Sequence, residues 1–221
     1  MGLQLIDIYR SPNIGIFMRA NDRHLLVPKG LAPTKREKLS QSLGVDVHQA
    51  SIAGSRLIGI LSVMNCNGIL LSRLAEQEEA REILTATGLN VARLESRYTA
   101  VGNLVAANDR YALVSPILEQ RAVHQVQDVL GVEAFRYAIH EYNQVGAFVV
   151  ATNSGAAVYP GLSDEEVAEV GRLLGVEAEP VSVNGGVPFV ASGLVANSKN
   201  AIAGNQTTGP ELVFITRALK V

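Results

Sequence analysis

Three kinds of residue recur along this 221-residue chain at one spacing, near forty-four positions, and a repeat of that length commits a chain to an array or ring of small units. A β-branched residue followed by a very small one stands at Ile14-Gly15, Ile58-Gly59, Val101-Gly102, Val145-Gly146 and Val190-Ala191, at intervals of 44, 43, 44 and 45. Asparagines follow at Asn21, Asn65, Asn108, Asn153 and Asn197, separated by 44, 43, 45 and 44. Glycines at Gly44, Gly88, Gly131 and Gly175 lie 44, 43 and 44 apart. Chance richness in Gly and Asn, or an open solenoid, are the competing accounts. Agreement of three marks on one period disfavours both.

Each mark has a physical reading. Asn and Gly tolerate the positive φ of tight hairpins, which predicts turns at Asn21-Asp22, Asn67-Gly68, Asn108-Asp109 and Asn153-Ser154-Gly155. Apolar stretches at 25–28, 69–71, 112–116 and 156–160 supply the returning strand, ended three times by proline, which cannot continue a ladder. A helix comes next. In the fourth unit Ser163 and Glu166 form a capping box, and Val167, Val170, Leu173 and Leu174 fall on one face. The periodic glycines then serve as left-handed C-caps, and further strands are expected at 45–52, 89–95, 132–139 and 176–183. The unit reads β, β, α, β.

The fifth unit lacks its last strand. Its helix, with Thr208 and Glu211 as capping box and Leu212, Ile215 and Leu219 as face, runs to Val221. Residues 3–8 form an alternating strand ahead of the first hairpin with no unit of their own. The prediction is that they complete the fifth unit and close a ring, because an open row would leave an unpaired sheet edge and a half-buried apolar face. The expected organisation is one domain of units near 9–52, 53–95, 96–139, 140–183 and 184–221, with 3–8 closing the last.

Composition removes several classes of function. With 19 basic against 21 acidic residues, a net charge of −2 and no basic stripe, sequence-blind nucleic-acid binding has little to work with. Lys29, Lys35 and Lys38 read as a solvated helix face. The single Cys66 allows no internal disulfide framework and is too little for a structural zinc site. No apolar run approaches a membrane span and the first ten residues lack a signal-peptide core, so a cytoplasmic chain is expected. Gly185-Gly186 is not followed by the Lys-Ser or Lys-Thr of a nucleotide loop, so no cofactor is expected.

The strings 50–56 (Ala-Ser-Ile-Ala-Gly-Ser-Arg) with Ile58-Gly59, Val101-Gly102-Asn103 with Asn108-Asp109, and Leu194-Val195-Ala196-Asn197 with 207–212 (Thr-Thr-Gly-Pro-Glu-Leu) follow one another through the whole chain. In order and spacing they resemble the translation initiation factor six family, archaeal type. That resemblance implies an α/β pentein, a five-fold pseudosymmetric closed ring of ββαβ units (an α/β propeller). It also implies a non-enzymatic, monomeric translation factor that binds the intersubunit face of the large ribosomal subunit and sterically prevents joining of the small subunit, with a further role in large-subunit biogenesis. The main partner would be a ribosomal protein near the sarcin-ricin loop, with at most a minor rRNA contact and no DNA or membrane.

Candidate contact residues follow from the first mark. The positions just after the small residue are Ile16, Ile60, Asn103, Ala147 and Ser192, of which Asn103 is the large polar exception. By the resemblance the rim at these positions carries the family's ribosome contact, which makes Gly15, Ile16, Gly59, Ile60, Gly102, Asn103, Gly146 and Ala147 the candidate ribosome-binding residues; the glycines are also suited to close backbone approach around a narrow axis. Asn103 either meets a partner or satisfies a local backbone group. Two rival functions stand beside this one: a guanidino-modifying pentein enzyme and a rigid hub for an unrelated protein. The enzyme would need a nucleophilic cysteine in the last unit, yet residues 185–221 hold neither Cys nor His, and Cys66 sits in a second-unit turn. His24, His48, His124 and His140 have no metal-binding spacing and read as surface or structural residues.

Overall fold

The computed structural model describes residues 2–221, which form five three-stranded sheets, each with an antiparallel and a parallel neighbour around its middle strand. In the second unit Ser62–Met64 pairs antiparallel with Gly68–Leu71, which pairs parallel with Asn90–Arg93 after the helix Gln77–Thr87. The other units repeat this arrangement. Each helix has 11 residues and lies between the second and third strands of its sheet: Pro33–Leu43, Gln77–Thr87, Gln120–Leu130, Asp164–Leu174 and Gly209–Leu219.

The predicted capping boxes at Ser163/Glu166 and Thr208/Glu211 both form, and Glu76/Glu79 makes a third. The helices end in left-handed residues at Gly44, Gly88, Gly131 and Gly175, with φ between 62° and 69°. Lys220, φ 58°, takes the fifth such position.

Strand Leu3–Ile6 pairs in parallel with Ala201–Gly204, so the start of the chain finishes the last sheet. The expected strand over 3–8 is shorter because Ile8 instead bridges to Ser11 in a tight loop. The first strands of the five sheets stand side by side in a circle, and Leu194–Ala196 contacts Arg19–Ala20 to close it. The apolar clusters are shared between units. Val63, Leu70 and Leu94 pack with residues 101–132 of the following unit, and Val195 and Ile202 pack with the first helix and its sheet.

One local reading changes, and one element was not foreseen. The Ile14-Gly15 type pairs stand in single helical turns ahead of the hairpins: Ile14–Ile16, Ile58–Leu61, Val101–Leu104, Val145–Phe148 and Val190–Gly193. The turn asparagines do not adopt positive φ. Their side chains act instead: Asn21 Oδ1 accepts from the Arg23 and His24 N–H groups, as Asn65, Asn108 and Asn197 do in their turns. In the fourth unit the equivalent residue is Thr152, not Asn153; its hydroxyl faces the N–H groups of Ser154 and Gly155. These residues also join units. Asn65 Nδ2 donates to the Leu130 carbonyl (2.7 Å), Asn108 to Leu174 (2.8 Å) and Asn197 to Leu43 (2.9 Å), so one unit's turn caps the C-terminus of the next unit's helix.

Candidate functional site

The ring has two mouths. At the turn mouth, the residue after each turn Asn or Thr touches its neighbour in a closed circle. Cys66 N–H donates to Asp109 Oδ1 (2.7 Å), Asp109 N–H to Asn153 Oδ1 (3.0 Å), Asn153 N–H to Ser198 Oγ (3.2 Å) and Ser198 N–H to Asp22 Oδ1 (2.7 Å), while the Asp22 N–H faces the Cys66 thiol. Asp22, Cys66 and Asp109 place ligand-type atoms within 4.8 Å of one another, but both carboxylates are already engaged, Asn153 Nδ2 bonding each of them. Burial raises the Cys66 thiol's pKa, outweighing the Asp22 N–H, and the Asp109 and Asp22 carboxylates add to the rise. A thiol held protonated beside two carboxylates is a poor nucleophile. Cys66 therefore completes a structural pentagon.

The histidines are likewise occupied locally: His24 Nδ1 lies 3.0 Å from His48 Nε2, His124 meets Gln120 and His140 meets Glu166. Burial is the main cause lowering the pKa of both His24 and His48.

The opposite mouth is built from the five helical turns. A Cβ on Gly59 would collide with the Gly15 carbonyl oxygen, one on Gly102 with that of Gly59, one on Gly146 with that of Gly102 and one on Gly15 with that of Ala191. The turns stack backbone on backbone in a closed circle that only the smallest residues permit. The mouth encloses a cavity of about 180 Å³. Of the predicted rim residues, Gly15, Ile16, Gly59, Ile60, Asn103 and Ala147 line it; Gly102 and Gly146 belong to the circle without lining the cavity. Asn103 bonds only through its backbone, to the Ala100 carbonyl, and its side-chain amide has no hydrogen bond among the described residues. The loops entering the turns expose Tyr9, Leu57, Tyr142 and Phe189, of which Phe189, 48% exposed, lines the cavity.

These loops are pinned by acids at the helix N-termini. Glu211 accepts from the Gly185, Gly186 and Thr208 N–H groups and from Ser182 Oγ, at 2.7–3.0 Å. Burial alone would raise its pKa, but these four donors hold it at about 2. Glu79 binds Ala53, Gly54 and Glu76 N–H groups in the same way. The Ser96 hydroxyl, the N–H groups of Glu119 itself and Arg97, and the Arg97 charge hold Glu119 at about 2.

Arg19 lines this cavity and the axial channel behind it, and the sequence reading missed it. The equivalent residues of the other units are Val63, Ala106, Val150 and Val195, paired with Leu70, Leu113, Ala157 and Ile202 as Arg19 is with Leu26. Setting the units in register at this position would have exposed the single charge. Its Nη2 donates to the carbonyls of Gly59 and, at 3.4 Å, Gly102.

A closed α/β ring of five such units is a pentein fold. The family model described as the eIF-6 family matches residues 3–218. Translation initiation factor 6 of Nitrosopumilus maritimus is 52% identical over 218 residues, 99% of each chain. That of Cenarchaeum symbiosum is 49% identical over 96% of each, and that of Thermococcus kodakarensis 44% over 99% of this chain and 98% of its own. A looser likeness, with TM-score 0.48 and 10% identity over 84% of each chain, is to DDAH from Pseudomonas aeruginosa, a mutant complexed with citrulline. The chain belongs to the eIF-6 family, whose named relatives are translation factors.

Proposed function

We propose that this chain binds the intersubunit face of the large ribosomal subunit through the helical-turn mouth and blocks the small subunit by occupying surface that subunit requires. The observation that carries this reading is the uncommitted amide of Asn103 in a cavity walled by Ile16, Ile60, Ala147 and the exposed Phe189, a polar anchor among apolar side chains. Aromatic and apolar side chains with one central donor-acceptor group suit a protein surface. With a net charge of −2, a ribosomal protein near the sarcin-ricin loop is the main contact and rRNA a minor one. A rigid ring suffices for exclusion, and the same occupancy gives a place in large-subunit biogenesis.

The test is sedimentation of the protein with purified subunits on a gradient. The expected result is comigration with the large subunit and reduced joining by the small one. Asn103→Glu should weaken that binding about tenfold or more, as expected when a central interface residue is replaced by an unmatched charge, with its melting temperature unchanged. Equal binding by Asn103→Glu removes this mouth from the interface.

A further inference from the structure

Arg19 carries a charge that no acidic side chain among the described residues pairs with. Burial lowers its pKa to about 10, which leaves it cationic at neutral pH. Its Nε is closed off from solvent and has no acceptor. A buried cation is tolerated when paired and hydrogen-bonded, and two carbonyl dipoles at Nη2 meet only part of that need. A second residue lining the same cavity has the same deficit: Ser192 Oγ is buried and without a partner. The free amide of Asn103 is a third polar group there. The remaining walls include Ile16, Ile60, Ala147 and Phe189.

We infer that this cavity is a binding site for one carboxylate. A single guanidinium matches a single negative charge; with Nη2 spent on the two carbonyls and Nε enclosed, Nη1 is the group that donates to the carboxylate, and Ser192, on rotation of its side chain, and Asn103 add neutral donors. The apolar walls favour a carboxylate on a short hydrocarbon stem over a phosphate, which would bring a second charge that no cation here meets. About 180 Å³ admits a group of that size. The carboxylate is either a small free organic acid or an acidic side chain of a docked protein; the second source rests on the docking reading above, the first does not.

The experiment follows the arginine Nε–H signals of the full ¹⁵N-labelled chain while sodium acetate, or sodium chloride at matched ionic strength, is titrated in at pH 7. The expected result is a saturable shift of the Arg19 signal with acetate, absent with chloride, and about fivefold weaker in Ser192→Ala, the loss of one hydrogen bond. Arg19→Met, which places an apolar residue where four units already have one, assigns the signal and should abolish the saturable change. If that variant does not fold, Ser192→Ala and the acetate-chloride contrast still decide. A linear drift matching the exposed arginines, or equal saturation by chloride, overturns the site. Sedimentation with large subunits then separates the sources. A docked acidic side chain predicts that Arg19→Met and excess acetate each weaken comigration, and a free acid predicts that neither does. If the wild-type chain fails to comigrate at all, docking falls while the acetate titration stands.

Discussion

Glu211 is the residue whose loss should reach furthest, because one carboxylate joins a helix N-terminus to the loop that enters the fifth helical turn. It is 7% exposed and held at about pKa 2 against a free value of 4.5. At about 1.4 kcal/mol per unit, that shift corresponds to about 3 kcal/mol of folding free energy at neutral pH. The folded-state value lies below the unfolded one, so the contribution is complete above about pH 4.5 and is lost as pH falls through about 2. Glu211→Gln keeps the shape of the side chain and removes the charge. Urea unfolding followed by circular dichroism, at fixed ionic strength and pH from 7 to 3, should show the variant less stable by about 3 kcal/mol at pH 7. The gap should narrow to about 1 kcal/mol at pH 3, where the unfolded chain already binds the proton at this carboxylate while the folded one still keeps most of its charge. A difference that does not change with pH would refute this account, since it would mean that shape and not charge holds the loop.

Two further outcomes follow from the ring itself. Gly59→Ala forces a methyl against the backbone carbonyls of Gly15 and Met18 in a circle with no free end, and should cost about 3 kcal/mol, a fall of about 10 °C in a thermal melt. Removing residues 1–6 strips the parallel partner from Ala201–Gly204 and bares an edge; the melt should broaden and light scattering rise, and an unchanged melting temperature would show that the closing strand carries no stability.

Much of this architecture was legible because a few positions admit few residues. A left-handed C-cap selects glycine, so 44, 88, 131 and 175 could be read directly, and Lys220 escaped notice only because it adopts the same φ without being glycine. The turn asparagines gave the right period for a different reason: their side chains bond backbone groups, which is why Thr152 can substitute and why counting Asn153 shifted one interval. The rim candidates gathered at one mouth because they share a position in the unit. What stayed hidden depends on contacts between units. No periodic signal shows that Asn197 will reach Leu43, that Glu211 will hold Gly185 and Gly186, or that Cys66 will sit in a pentagon with Asp109. Arg19 differs, since it was visible as an odd residue within the period but needed the channel to give it meaning.

The pairing of Leu3 with Ala201 also fixes an order of events during synthesis. Leu3–Ile6 waits for a strand about two hundred residues further along the chain, a delay on the order of ten to forty seconds at ordinary elongation rates. Throughout that interval four sheets can be assembled while the fifth has nothing to pair with, and the newly made amino-terminal segment stays available to any other strand in the cell. Final locking therefore waits until Ala201–Gly204 has been made, and crowded nascent chains of this kind have a built-in route to exchanging the Leu3–Ile6 strand with one another.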